Sequence, residues 1–416
     1  MSFHIRDGYL YCERLRVKDI QARVPESPFY LYSLAEITAN YDAYDRALAG
    51  VPAIVAYALK ANSNLVILKH LRELGAGAVL VSENELRLAA EAGFDAKRTI
   101  FNGNGKTLRE LALAVEQGVL VNIDSEFDLA HIEQVSRRAK ATVDVLMRIN
   151  PDIDPEVHPY VSTGIRSSKF GVRSDQIPRF LERIGSAETL NLVGVHCHLG
   201  STIKDIGVYR DAALLMVQIA NRIRDEGFAL RYVNIGGGLG VDYEGSGTVP
   251  ESAELIETLR ETVPAEFTLI LEPGRSIVAS AGALVSRVVG VKTNGRKRFI
   301  VVDASMAELI RPSLYDAYHH IGFVEPVAGR ALRYDVVGPV CESADFLGKN
   351  RALPTPEEGT GLVVFDAGAY GYAMSSNYNA RLRPAEYLVD GDDLRRIRRA
   401  ETFEDYVRLF ETPGSE

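Results

Sequence analysis

Between residues 53 and 271, apolar runs of strand length alternate with amphipathic helical patterns, and this alternation constrains the fold more than any other feature. The runs lie at 53–59, 78–81, 99–101, 119–123, 143–149, 192–197, 232–235 and 267–271. Helical patterns fall between them, for example at 64–74, 83–92, 107–117, 127–139 and 252–262. Such an order implies parallel strands joined by crossover helices. Eight units over about 240 residues match a (β/α)8 TIM-like barrel. A doubly wound open sheet accommodates the same alternation, but its nucleotide fingerprint is missing. Residues 236–241 read Gly-Gly-Gly-Leu-Gly-Val, which does not fit G-x-G-x-x-G. Gly105-Lys106-Thr107 is no P-loop, because Ile100 stands where the first glycine is required.

At 416 residues the chain is too long for one small domain. Residues 1–32 read as short strands around Pro25 and Pro28, and a helix over 34–48 keeps Tyr41, Tyr44 and Leu48 on one face. Beyond 282 strands dominate, at 284–292, 297–302, 333–337, 362–365 and 385–389, before a short amphipathic helix at 401–410. The expected organisation is a barrel at 33–281 and a β-rich domain at 282–416, which the N-terminal strands of 1–32 join.

Charge narrows the function. Lys and Arg number 47 against 56 Asp and Glu, a net charge of −9, which disfavours a nucleic-acid groove or an anionic-membrane surface. The one basic run, 395–399, is flanked by Asp392, Asp393 and Glu401 and reads as a solvated strand. Cys12, Cys197 and Cys341 are odd in number with no CxxC spacing, which argues for a reducing compartment and against structural zinc or a disulfide framework. No run approaches the ~18 apolar residues of a membrane span, and the N-terminus has no apolar signal core. A cytoplasmic location is expected.

In a barrel of this kind the chemistry sits at the C-terminal strand ends. Those ends carry Lys60, Ser82 and Glu83, Asn102, Asp124, Asn150, His198, Gly236–Gly238 and Glu272. A lysine ending a buried strand is costly unless its charge is paired or its amine is used, although it can also snorkel to solvent. Three consecutive glycines let backbone N–H groups approach a phosphate; a flexible turn is the other reading. His196 and His198 share one face of their strand. They lack a third ligand cluster for a metal, so stacking on a planar cofactor or a satisfied core histidine suits them better.

The motifs Tyr57-Ala58-Leu59-Lys60-Ala61-Asn62, His196-Cys197-His198-Leu199-Gly200-Ser201, Gly236-Gly237-Gly238 and Glu272-Pro273-Gly274-Arg275 resemble the fold-type III pyridoxal-phosphate enzymes. Further motifs, Arg311-Pro312-Ser313-Leu314-Tyr315, Gly338 through Asp345, and Gly368-Ala369-Tyr370, resemble the diaminopimelate decarboxylase family in particular. The resemblance implies that Lys60 joins pyridoxal 5'-phosphate through a Schiff base and that His198 stacks on its ring. It implies that Ser201, Gly237, Gly238, Gly274 and Arg275 bind its phosphate, with a hydroxyl from Tyr370. Glu272 would face the pyridine nitrogen, where a carboxylate keeps that nitrogen protonated. Cys341 would be the proton donor, reaching the site from the partner subunit of a homodimer; a buried structural cysteine is the alternative. Arg275, Arg311 and Tyr315 would hold the distal carboxylate of meso-diaminopimelate, and Glu342 its distal amine. The expected reaction yields L-lysine and CO2. Same-fold decarboxylation of ornithine, arginine or a carboxylated polyamine is the first rival, and a non-catalytic pyridoxal-phosphate carrier the second. The segment from His158 to Gly171 resembles the family's mobile active-site loop. One departure is that Val79 and Glu83-Asn84 replace the acidic residue and glycine pair found in several relatives.

Overall fold

The computed structural model describes residues 3–155, 157–158, 163–164 and 168–411. They form two compact units, one of the described residues within 40–242 with 247–276, the other of those within 3–39, 243–246 and 277–411.

The first unit is a closed barrel. Its strands are Ala53–Ala58, Gly77–Leu80, Thr99–Phe101, Leu120–Ile123, Val143–Asn150, Leu190–His196, Tyr232–Gly236 and Thr268–Leu271. Neighbours in this order pair in parallel, and the eighth returns to the first through Leu269↔Ala53, Ile270↔Ile54 and Leu271↔Val55. Closure leaves no open sheet edge. Side chains just beyond several strands cap the helices that follow. Ser82 accepts from Glu85 N–H, Ser125 accepts from Asp128 N–H, and Thr107 forms a capping box with Glu110.

Side-chain alternation divides the barrel interior into two layers. Ile54, Val79, Ile100, Leu120, Leu146 and Ile270 belong to one apolar plug. Two residues further along, the same inward positions turn polar: Asn102 after Ile100, Asn122 after Leu120, Arg148 after Leu146, and Glu272 after Ile270. The plug closes one side of this polar layer to water.

The second unit is mostly β. Its sheet runs Phe346–Leu353, Leu332–Val337, Lys297–Val302, Gly282–Asn294, Phe29–Ser33, Ala385–Asp390, Asp393–Arg398. Gly361–Val364 pairs with Gly282–Asn294 and with Ile321–Phe323. The N-terminal strand Phe29–Ser33 is fully buried at the centre, antiparallel to Gly282–Asn294 and parallel to Ala385–Asp390. A three-stranded N-terminal sheet and the helix Val17–Arg23 add to this core, where Leu10, Val17, Phe29, Leu31, Val285 and Tyr387 pack together. The architecture is therefore the expected barrel plus a β domain joined by N-terminal strands. The strand Phe346–Leu353 escapes a sequence reading because Gly348-Lys349-Asn350-Arg351 breaks its apolar pattern. The basic run forms the edge strand Asp393–Arg398, with Arg395 paired to Asp390 at 2.9 Å and Arg398 paired to Glu386. Among the described residues, no helix is long and apolar enough to cross a membrane.

Leu31 is completely buried in the central strand. Leu31→Ala should cost about 2–5 kcal/mol, read as a lower urea midpoint by circular dichroism; an unchanged midpoint would contradict the central placement of this strand.

Candidate active site

In the barrel unit, Lys60 occupies a single helical turn, Leu59–Ala61, directly after the first strand. Leu59 and Ala61 are buried while Lys60 is exposed, so the turn is anchored by its neighbours and presents the amine. Tyr57 Oη donates to Asn62 O at 2.9 Å, which braces the same turn. Glu85 accepts from Val81 N–H at 2.7 Å. Burial pushes the Glu85 carboxyl up, and the Val81 N–H and the Lys60 charge oppose that push.

Glu272 follows the eighth strand and is buried. Asn102 Nδ2 donates to its two oxygens at 3.0 and 3.2 Å, and Asn234 Nδ2 donates to Oε1 at 2.8 Å. His196 Nε2 faces the same Oε1 at 3.4 Å. Asn122 Nδ2 lies 2.8 Å from Asn102 Oδ1 and 2.7 Å from His196 Nδ1. An amide nitrogen only donates, so His196 Nδ1 accepts and the ring proton sits on Nε2, toward Glu272. Burial opposes ionisation of Glu272, yet the imidazoles of His196 and His198 and the Asn234 amide outweigh it and hold the carboxyl well below the ordinary range. Burial also depresses His196, which is therefore neutral and acts as a donor rather than a cation.

His198, the glycines and Ser201 lie together. Gly237 N–H donates to His198 Nδ1 at 3.2 Å. Burial first, then the charges of Lys60 and Arg148, push His198 far below its usual value. A Cβ on Gly237 would lie 2.0 Å from Glu272 O, and one on Gly238, whose φ is +107°, 2.2 Å from Gly200 O. Gly274 packs closely against Ala58 and Ala61, so that a Cβ there would meet the Ala61 side chain at 3.0 Å. Arg275 Nη2 donates to Ser201 Oγ at 3.0 Å. An exposed amine, a neutral imidazole, a buried anion and a close-packed glycine cradle fit a phosphorylated, basic-nitrogen cofactor such as pyridoxal phosphate. Among the described residues, no cluster of His, Cys, Asp or Glu could hold a metal ion.

Arg148 lies deeper in the polar layer, 3.4 Å from Asp124 Oδ2 and over the Phe170 ring at 4.3 Å. Asp124 Oδ1 also accepts from Gly171 N–H at 3.2 Å. These contacts anchor the far end of the segment from His158 to Gly171, whose residues 159–162 and 165–167 lie outside the described residues.

The other expected residues belong to the β unit. Arg311 and Tyr315 bracket the helix Arg311–Tyr315, four positions apart and so on one face. Arg311 is buried, over the Tyr243 ring at 4.8 Å, and its Nη1 donates to His319 Nε2 at 2.7 Å. His319 Nδ1 donates to Phe365 O at 2.8 Å, which fixes the tautomer that can accept from Arg311. Cys341 and Glu342 are exposed on a loop that Asp345 folds by accepting from Met306 N–H and Val340 N–H, each at 2.7 Å. Asn379 Oδ1 accepts from Cys341 N–H at 2.8 Å, and Tyr378 Oη donates to Glu342 at 2.7 Å. Tyr370 is half-buried with φ +57°, a left-handed conformation that a tyrosine adopts only when its surroundings impose it. Cys12 and Cys197 are buried, and burial pushes the Cys197 thiol up to about 12. Cys341 alone is exposed.

Thus Lys60, His198, Ser201, Gly237, Gly238, Glu272, Gly274 and Arg275 share one unit, while Arg311, Tyr315, Cys341, Glu342 and Tyr370 share the other. Asn122, Arg148, Asn234 and His319 escaped the sequence reading. The first three carried a signal: each is a polar residue at an inward position of an otherwise apolar run, one or two residues before its strand end.

The family description of pyridoxal-dependent decarboxylases, pyridoxal binding domain, matches residues 34–279. A rice protein named probable diaminopimelate decarboxylase, chloroplastic, is 58% identical over 97% of this chain and 84% of its own length. The Aquifex aeolicus diaminopimelate decarboxylase is 42% identical over 97% of this chain and 95% of its own. The Helicobacter pylori diaminopimelate decarboxylase crystallised with L-lysine superimposes with a TM-score of 0.91 at 37% identity, covering 94% of this chain and 98% of that one.

The neutral His196 has a consequence for stability. Its folded pKa is depressed below 6.5. On acidification through that value the unfolded chain takes up a proton that the fold does not, so stability falls as pH falls. Replacing His196 with Asn should make the acid limb of stability against pH shallower by up to about 1.4 kcal/mol per pH unit. Equal slopes by thermal unfolding across that range would contradict a buried neutral imidazole.

Proposed function

Because the chain belongs to the diaminopimelate decarboxylase family of pyridoxal-dependent decarboxylases, we propose that it decarboxylates meso-2,6-diaminopimelate to L-lysine and CO2, the last step of lysine biosynthesis. Pyridoxal 5'-phosphate is the cofactor, and when bound it supplies the electron sink for the pair released as CO2 departs. The observation that carries the reading is Glu272, a buried carboxylate kept anionic by Asn102, Asn234 and His196.

In this reading Lys60 would hold the cofactor through its amine, and Glu272 would keep a proton at the cofactor's basic nitrogen. His198, tethered by Gly237 N–H, stacks on the ring. Ser201 with Gly237, Gly238, Gly274 and Arg275 binds the phosphate, and Tyr370 adds a hydroxyl. Arg275 and Arg311 orient the substrate through its distal carboxylate, for which planar guanidinium forks are suited. The Arg311 fork is oriented by His319 Nε2, to which its Nη1 donates at 2.7 Å. Tyr315 assists, and Glu342 receives the distal amine. Cys341 Sγ returns a proton to the substrate carbon that has lost CO2. Its exposure supports a homodimer in which the thiol serves the partner's site. A cytoplasmic location completes the proposal; free cysteines suit such a reducing compartment.

Purified enzyme should release CO2 from meso-diaminopimelate and discriminate against ornithine by up to ~10⁴, because ornithine leaves both arginines unpaired. Turnover of ornithine but not of meso-diaminopimelate would sink the assignment. In the same assay Lys60→Ala should lose both activity and the visible absorbance of covalently held cofactor. Cys341→Ala should lower kcat by ~10²–10⁴. Mixing Cys341→Ala with Lys60→Ala subunits should restore part of the activity, and the absence of any rescue would argue for self-contained subunits.

A further inference from the structure

The β unit holds a second group of cations that the decarboxylation chemistry does not use. Arg333, Lys349 and Arg351 line a pocket of about 540 Å³ between the hairpin of Leu332–Val337 with Phe346–Leu353 and the segment that follows Arg311–Tyr315. That volume lies within the range of small-molecule sites. The pocket's one acidic lining residue is Asp316.

The cations are held in place without being neutralised. The Arg351 guanidinium lies over the Tyr318 ring at 3.8 Å, and Lys349 Nζ lies over Phe346 at 3.7 Å. Arg333 Nη1 donates to a backbone carbonyl, Asn350 O, at 2.9 Å. The Arg351 Nε–H is buried without a hydrogen-bond partner. A Cβ on Gly348 would come within 2.5 Å of that nitrogen, so glycine makes the room the guanidinium occupies. Among the described residues none of the three forms an ion pair, although Glu244 lies near enough to Arg351 to act on it through space. Elsewhere in the unit basic residues do find carboxylates, Lys297 at 2.6 Å from Asp335 and Arg381 at 3.2 Å from Glu308. His320, also on the pocket wall, is depressed by burial and by the Arg351 charge, as a local positive potential requires.

A planar guanidinium and an ammonium converging on one cavity recognise oxyanions. A chain of net charge −9 repels polyanions over most of its surface, so a local cationic excess is selective. We propose that this pocket is an anion-binding site, separate from the residues assigned to decarboxylation, that takes a small polyanion bearing carboxylate or phosphate groups.

The test is calorimetric titration of the holoenzyme at low salt, with citrate and with pyrophosphate as separate probes. One saturable site per chain is expected, weakened about tenfold or more in Arg351→Gln and in Lys349→Gln. Binding should persist in Arg311→Ala, and the Arg351 and Lys349 variants should keep wild-type kcat and KM without the probe. Tighter binding of citrate identifies a carboxylate ligand, and tighter binding of pyrophosphate a phosphate ligand. No binding of either probe at millimolar concentration would overturn the proposal. So would equal affinity in both pocket variants, or loss of binding in Arg311→Ala alone, which would assign the anion to the substrate's arginine instead. None of these readings depends on which amino acid the enzyme decarboxylates.

Discussion

The barrel interior depends on how a carboxylate survives in a dry place. Burying an isolated anion costs several kcal/mol, and an unpaired carboxyl in such a position takes up a proton instead. Glu272 avoids this because two asparagine amides donate to it and a neutral imidazole presents its N–H to it. None of these groups carries a full charge. These dipoles hold the anion, and the buried Arg148 charge in the same layer also acts on Glu272 through space.

That arrangement works because the apolar plug lies directly beneath it. Alternation along each strand sends Ile54, Ile100, Leu120 and Ile270 into the interior, and the next inward residue on several strands is polar. The plug excludes water, which strengthens each hydrogen bond above it and penalises each unsatisfied one. The amides then turn to one another, as Asn122 Nδ2 does in bridging Asn102 and His196, although Asn122 Oδ1 is left without a hydrogen-bond partner. A well-ordered polar layer is thus the physical counterpart of a well-packed apolar one.

The β unit uses the same economy with the opposite charge. Arg311 is a buried cation whose guanidinium donates to a histidine nitrogen and lies over an aromatic face. The loop carrying Cys341 and Glu342 is shaped by Asp345, whose carboxylate occupies two backbone N–H groups. Cys341 and Glu342 stay exposed while the Asp345 that shapes their loop is buried. The three cysteines divide in the same way: two are sealed, and one is displayed.

The local pattern alone determined much of this protein. Eight strand-like runs with helices between them specify parallel α/β architecture, and their number with the missing nucleotide fingerprint favours a barrel over an open sheet. Lys60, Glu272 and the Gly236–Gly238 run were legible because a charge or bare backbone at a strand end is conspicuous. Cys341, Arg311 and Tyr370 were legible only through resemblance, since nothing in their own spacing marks them. The strand Phe346–Leu353 and the partners Asn122, Asn234 and His319 were decided by the tertiary structure. Their significance is pairwise: an asparagine in an apolar run has no meaning until closure of the barrel brings a carboxylate within 3 Å, as it brings Asn234 to Glu272 at 2.8 Å. Sequence therefore specified which chemistry is present at each strand end. Closure of the chain in space decided which of those groups touch, and so which carboxylate is an anion and which imidazole is neutral.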